Sequence, residues 1–133
     1  MTMSLEGGLD TSAEAKARFE GEGFQVVFPQ PNELQIDIDS EEQREKFLRL
    51  FEALNRNSGG LQFTVTKDTP SRSGLPKRHL TLSCSRDMDA VMRIALQASL
   101  GSDPMRELLS FCRHLQGDPN PSIFVEPGAP AAS

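Results

Sequence analysis

The sequence predicts an α+β domain built on an antiparallel sheet, and three observations lead to this class. The chain has 133 residues, which is enough for one domain with one core. Short strands alternate with amphipathic helical stretches in the order β-α-β-β-α-β from residue 34 onward. Apolar and polar residues alternate within the strands, so one sheet face should be packed and the other open. This is the RRM-like or ferredoxin-like pattern with helices on one face, here preceded by an extra strand.

The chain divides into three segments by composition. Residues 1–21 form an N-terminal segment that we expect to be partly disordered or a short helix, with Thr11 or Ser12 as its cap. Residues 22–126 form the single α+β domain. Residues 127–133 are rich in proline, alanine and glycine, which predicts a disordered tail.

The first half of the domain reads as two strands, a helix and a third strand. Residues 24–28 and 34–39 have strand character, and prolines separate them. Ser40 should cap the helix, because Gln43 stands three residues later as a capping box requires. Residues 61–66 alternate as a half-buried strand does. The apolar stripe of the helix consists of Phe47, Leu48, Leu50, Phe51 and Leu54.

The second half begins with a basic loop over residues 67–78, followed by a strand that starts at His79. Residues 89–100 should be helical, and Asp103 with Pro104 should begin another helix as cap and first residue. A last short strand covers residues 123–125. The residues predicted to face inward from the two helices are Val91, Ile94, Ala95, Ala98 and Leu100, then Met105, Leu108, Leu109, Cys112 and Leu115.

Two acids and a histidine are predicted to meet on the open sheet face. Asp37 and Asp39 share one face of their strand, and His79 shares a face with Thr81 and Ser83 on its own strand. Aspartate is disfavoured in strands, so the presence of two aspartates in one short strand indicates a specific role for them. Carboxylate oxygens suit a hard divalent cation such as Mg or Mn. The pattern therefore indicates a site that handles metal and phosphate.

Charge and composition narrow the function classes. The net charge of −5 argues against a protein that coats nucleic acid non-specifically. Residues 67–86 nevertheless carry five basic residues against Asp68 alone, a local +4 around His79. The predicted open face has no aromatic residues, which disfavours base stacking of the RRM kind. No apolar run is long enough to cross a membrane, so we expect a cytoplasmic protein with no membrane association.

Three short motifs carry a family resemblance. The first is Ile36-Asp37-Ile38-Asp39, and the second is Ser73-Gly74 followed by His79 at the start of a strand. The third is the stretch Leu100-Gly101-Ser102-Asp103-Pro104, followed by Arg106. Over residues 33 to 113 the chain resembles the archaeo-eukaryotic primase, or primase-polymerase, superfamily, of which it would be a small or degenerate member. The catalytic core of that family is an RRM-like sheet.

The resemblance implies a metal-dependent nucleotidyltransferase that serves DNA replication and is compatible with an origin in a mobile element. Asp37 and Asp39 would bind Mg or Mn with Asp103 as a third acid, and His79 would contact nucleotide phosphate. The partners would be nucleoside triphosphates, single-stranded nucleic acid and a replication protein. The remaining substrate contacts are assigned to Ser73, Lys77, Arg78 and Arg106.

Other interpretations stand beside this one. The chain could be a catalytically inert module that binds nucleic acid or a replication protein. It could also be a small accessory protein whose sheet mediates oligomerisation, which a sheet edge or helix face with exposed apolar residues would favour. At single residues, Asp103 suits a helix cap, Asp39 suits the start of the following helix, and the basic residues suit a solvated loop.

Overall fold

The structure is a computed structural model that describes residues 9–71 and 74–128. Within these residues it has four helices and two antiparallel sheets, so the predicted α+β class is confirmed. None of the described helices has the length and apolar character needed to cross a membrane. The elements are α1 (Ser12–Gly21), β1 (Gln25–Val27), β2 (Glu33–Ile38), α2 (Glu41–Asn57), β3 (Phe63–Pro70), β4 (Arg78–Cys84), α3 (Ala90–Ser99), α4 (Pro104–Leu115) and β5 (Phe124–Glu126).

The main sheet has three strands in the order β2-β4-β3. Its core face carries Leu34, Ile36 and Ile38 from β2 together with Leu80 and Leu82 from β4, all buried. α2 covers this face with Phe47, whose ring is 1% exposed. The predicted cap of α2 is present, because the Ser40 hydroxyl accepts from the Gln43 backbone N–H at 3.1 Å.

β3 is longer than the sequence predicts, so the interpretation of residues 67–70 as loop is wrong. The strand continues to Pro70 through a bulge between Val65 and Lys67. The bulge inserts one residue and reverses the alternation that follows it. Lys67 therefore pairs with Thr81 and lies on the same face as His79. The true connection between β3 and β4 is shorter, and residues 72–73 within it lie outside the described residues.

The last strand does not extend the main sheet. β5 pairs with β1 in a separate two-stranded antiparallel sheet. The outer edge of β2 is satisfied instead by the α3–α4 region: Gln97 accepts from the Gln35 N–H at 2.8 Å, and the Ser102 hydroxyl accepts from the Asp37 N–H at 2.9 Å. Side chains thus take the place of a fourth strand.

α1 packs against this second sheet. Ala15 and Phe19 of the helix form a small core with Val26 and Ile123. Its start is tied to the far end of the chain, because Ser12 donates from both its N–H and its hydroxyl to the Asp118 carboxylate at 2.6 Å. The short helix expected in the N-terminal segment is therefore joined to the domain. Residues 1–8 of that segment and residues 129–133 of the predicted tail lie outside the described residues.

α4 packs with its polar side inward, so its predicted buried stripe is wrong. Met105, Leu108 and Leu115 are exposed, and Leu109 and Cys112 are only half-buried. The residues that α4 buries are Glu107, Ser110 and Arg113. In the α3 stretch, Ile94 and Leu100 are buried as predicted, but Val91, Ala95 and Ala98 are exposed. The physical reason is the β2 edge, which needs polar partners and draws the polar side of α4 towards it.

Candidate functional site

A pocket of about 280 Å³ lies where β2, β4 and β5 meet α4. Four residues that the sequence analysis selected line it: Asp37, His79, Asp103 and Arg106. Its wall also includes Phe124, together with Met105, Leu109 and Arg113 of α4. Residues from three motifs that are far apart in sequence thus share one concave surface, which makes this pocket the candidate functional site.

Asp37 and His79 lie side by side on neighbouring strands and on the same face of the sheet. They are directly opposite in the antiparallel register of β2 and β4, as the strand alternation predicts. His79 Nε2 lies 3.7 Å from Asp37 Oδ1, and His79 Nδ1 lies 3.6 Å from Glu126 Oε1. The imidazole is therefore set between two carboxylates.

β5 covers the half of the sheet face that carries His79, although this face was predicted to be open. The His79 ring stacks on Phe124 with a centroid distance of 4.1 Å and an interplanar angle of 3°. His79 and Gln35 are buried in consequence, whereas Gln62 and Thr64 of the far half are exposed. Phe124 was not predicted as a site residue, because the position of β5 in the chain order predicts a strand within the sheet rather than one against its face.

Two acids of the site, Asp37 and Asp39, have a raised pKa. Burial raises the pKa of Asp37 to about 6, and Asp39, Asp103 and Glu107 add to the rise while Arg106 opposes it. The pKa of Asp39 is also raised, first by burial and then by Asp103, with Lys77 opposing. The three predicted metal ligands therefore lie within electrostatic range of one another.

Asp39 and Asp103 have clear local roles. Asp39 is one residue beyond the end of β2 and exposed, and its N–H donates to Gln43 Oε1 at 2.8 Å. Asp103 is the N-cap of α4, and its carboxylate accepts from the Arg106 N–H at 3.4 Å. Its own N–H donates to the Asp37 carbonyl at 3.0 Å. Asp103 thus caps α4 and lines the pocket at the same time.

The placement of these acids does not make a metal site. Within residues 9–71 and 74–128, no three His, Cys, Asp or Glu side chains are grouped so that they could hold a metal ion. Oxygen donors suit Mg or Mn chemically, but the Asp37 carboxylate faces His79 and the Asp103 carboxylate caps a helix. As placed, the residues do not fit a resident metal ion.

Arg106 is fully engaged within the chain. Its guanidinium donates to the carbonyls of Ile123 and Gln35, to the Gln35 side chain and to Glu107, which uses all five N–H bonds of the group. It also lies over the Phe124 ring, 4.6 Å from the centroid. Arg106 therefore joins β2, α4 and the approach to β5, and a substrate contact would require it to give up one of these bonds.

The predicted basic cluster is divided by the sheet. Arg78 pairs with Ile38 in the register, which places it on the face opposite His79, and its guanidinium contacts Asp68 at 3.2 Å. Lys67 reaches Glu126 at 3.4 Å. Lys77 is exposed and lies near Asp39. Ser73, the remaining predicted substrate contact, lies outside the described residues.

A buried polar network behind the pocket was missed by the sequence analysis. Gln97 donates to Glu107 at 2.7 Å and to Ser122 at 3.3 Å, and Ser102 donates to Glu107 at 2.7 Å. The signal was present on α4, where Glu107, Ser110 and Arg113 recur at helical spacing opposite the apolar stripe. The apolar stripe was predicted as the buried side instead, because buried faces of helices are usually apolar.

Fold and site define a small α+β domain with a pocket of mixed charge on the second face of its sheet. Comparisons with protein-family models, with curated proteins and with solved structures give no match for this chain. The primase-polymerase resemblance therefore depends on the three motifs and on the way their residues are placed.

Proposed function

We propose that the chain is a primase-polymerase-like domain whose pocket binds a nucleoside triphosphate together with its Mg or Mn ion. The activity that such binding would serve is nucleotidyl transfer on nucleic acid. The observation that supports the proposal is the convergence of Asp37, His79 and Asp103, one from each motif, on one pocket.

The mixed charge of the pocket suits a ligand that carries both signs. The pKa values of Asp37 and Asp39 are raised by burial and by neighbouring acids that include Asp103, and a cation that arrives with the nucleotide would offset this negative charge. Lys77, near Asp39, would neutralise charge on phosphate oxygens, and His79, beside Asp37, would donate a hydrogen bond to them. The cation arrives with the nucleotide in this proposal, so no preformed metal site is required.

The size of the pocket limits what it encloses. Its volume of about 280 Å³ is at the lower end of the roughly 300–1,000 Å³ that is usual for ligand pockets. The triphosphate with its cation fits this space, and the sugar and base would extend beyond the mouth. We therefore expect the protein to discriminate only weakly between nucleoside triphosphates with different bases.

Calorimetric titration with Mn, alone and with ATP, tests the proposal. We expect binding of the Mn–ATP complex to wild-type protein and an affinity at least about tenfold lower for Asp37→Asn, which keeps the size of the side chain but removes one charge. Asp87→Asn, at an exposed position after β4, is the matched control and should bind as wild type does. Wild-type protein that binds neither Mn nor Mg at millimolar levels, with or without nucleotide, would refute the proposal.

Lys77 and Arg78 should differ in their effect on nucleotide binding, although they are neighbours in sequence. Lys77→Ala is expected to weaken Mn–ATP binding several-fold and to reduce its salt dependence, because one screened attraction is lost. Arg78→Ala should leave both unchanged, because Arg78 lies on the opposite sheet face with Asp68. Affinities measured at two salt concentrations decide the matter, and equal effects of the two substitutions would contradict the placement of the ligand.

A catalytically inert module that binds nucleic acid or a replication protein is the second candidate. The saturation of Arg106 and the separation of the acids into local roles favour it, since both leave fewer groups for transition-state chemistry. Primer extension with Mn and a labelled template separates the two candidates. Incorporation that Asp37→Asn abolishes supports the enzyme, whereas binding without incorporation supports the inert module.

A further inference from the structure

The α3–α4 hairpin presents an apolar surface to solvent, which we call the α3–α4 face. Four large side chains on it are exposed well beyond what a core helix shows: Val91 at 49%, Leu108 at 54%, Phe111 at 39% and Leu115 at 69%. Ala95 and Ala98 of α3 are also exposed and complete the face. In both helices, these residues belong to the apolar stripe that usually faces the core, and here they face solvent.

The six residues lie on one side of the hairpin. Gly101, with φ of +88°, lets the chain reverse after α3, and α4 packs back against it. Gln97 and Glu107 mark the sides of the two helices that face each other. A helix turns by about 100° per residue. Counted from Gln97 on α3 and from Glu107 on α4, the face residues of both helices are displaced around the helix axis in the same rotational direction. In antiparallel helices that sense leads to the same side.

The chemistry of the face points to a protein partner. None of the six side chains is charged, so the face offers nothing to phosphate groups or to an anionic lipid surface. Exposed apolar patches of several hundred Å² mark interaction sites. From the exposed fractions, the face amounts to roughly 500 Å² per copy, so two copies would bury roughly 1,000 Å², the size at which specific interfaces begin.

We propose that the α3–α4 face is the interface of a homodimer with two-fold symmetry. The face carries large apolar residues on α4 and the small residues Ala95 and Ala98 on α3, so large side chains of one copy could pack over small ones of the other. A two-fold axis places each α4 against the α3 of the other copy, as an isologous contact requires. Each chain carries a net charge of −5, which opposes association elsewhere, whereas here two uncharged surfaces meet.

Sedimentation equilibrium over a dilution series from micromolar to submillimolar tests the proposal. We expect wild-type protein to approach twice the chain mass of 14.6 kDa as concentration rises. Leu108→Asp and Leu115→Asp should each raise the dissociation constant at least about tenfold, because each would bury a carboxylate at the interface. Leu48→Asp, at a similarly exposed leucine on α2 (45% exposed), is the matched control and should dimerise as wild type does.

The outcomes are separable from those of the nucleotide proposal. A wild-type chain that stays monomeric throughout the series would overturn the dimer, and so would a loss of dimer in Leu48→Asp equal to that in Leu108→Asp. Circular dichroism of each variant establishes that it is folded, and a second substitution at Leu115 keeps the test valid if one variant fails. Binding of Mn–ATP is measured independently, since none of the substituted residues lines the pocket.

Discussion

Replacing Arg106 with methionine is expected to lower the free energy of unfolding by about 3–5 kcal/mol, because it removes one member of a buried charged pair. The Arg106 side chain is 12% exposed and that of its neighbour Glu107 is 3% exposed. The substitution leaves the Glu107 carboxylate buried without its guanidinium. It also leaves the carbonyls of Gln35 and Ile123 without these donors. Methionine keeps the length of the side chain and its helix propensity, so the loss reports on charge and hydrogen bonding.

Urea unfolding of matched variants measures this loss. Arg49→Met, at an exposed position on α2, should change the free energy of unfolding by less than about 0.5 kcal/mol. Adding Glu107→Gln to Arg106→Met should recover part of the loss, since the unpaired buried charge is then removed as well. An Arg106→Met variant as stable as Arg49→Met would contradict the structural role of the guanidinium.

The parts of the fold that follow from local pattern were predictable. The alternation of Asp37 and His79 within their strands placed both on one face, and the antiparallel register then set them directly opposite. The caps at Ser40 and Asp103 were predicted because a short polar side chain before an apolar run satisfies the first helical N–H groups. These features depend on residues that are close in sequence, or on the strict period of a strand.

The orientation of α4 was not predictable from its own sequence. An amphipathic helix has two faces, and its pattern alone does not state which neighbour each face meets. Here Glu107 is drawn inward by Gln97 and Ser102, which in turn satisfy the free edge of β2. The decisive partners are thus donors and acceptors from other elements, and the apolar side is left for solvent or for another chain.

The extent of β3 and the position of β5 were missed for related reasons. A bulge at Thr66 lets the strand continue to Pro70, and a basic composition had suggested a loop there. β5 was expected in the sheet because its place in the chain order is that of a fourth strand. It pairs with β1 instead, since the edge where it would have added is already occupied by side chains. Phe124 is then free to cover His79.

Asp37→Asn should change the dependence of stability on pH. The pKa of Asp37 rises from 3.8 to about 6 in the folded protein, so between these values the folded state keeps a proton that the unfolded state has lost. The contribution of this group to stability is therefore complete below its unfolded pKa and is lost as pH rises through its folded pKa. The shift corresponds to about 3 kcal/mol, and Asn has no such dependence.

Denaturant unfolding in EDTA from about pH 4 to about pH 7 measures this effect without added cations. The free energy of unfolding of wild type relative to Asp37→Asn should fall by about 2 kcal/mol over that range, because part of the effect lies below pH 4, whereas Asp87→Asn should follow the wild-type profile. A constant difference between wild type and Asp37→Asn would contradict the raised pKa. A variant that is stabilised at neutral pH and yet loses affinity for Mn–ATP would mark Asp37 as a residue kept for binding, because a structural carboxylate would lose stability when replaced.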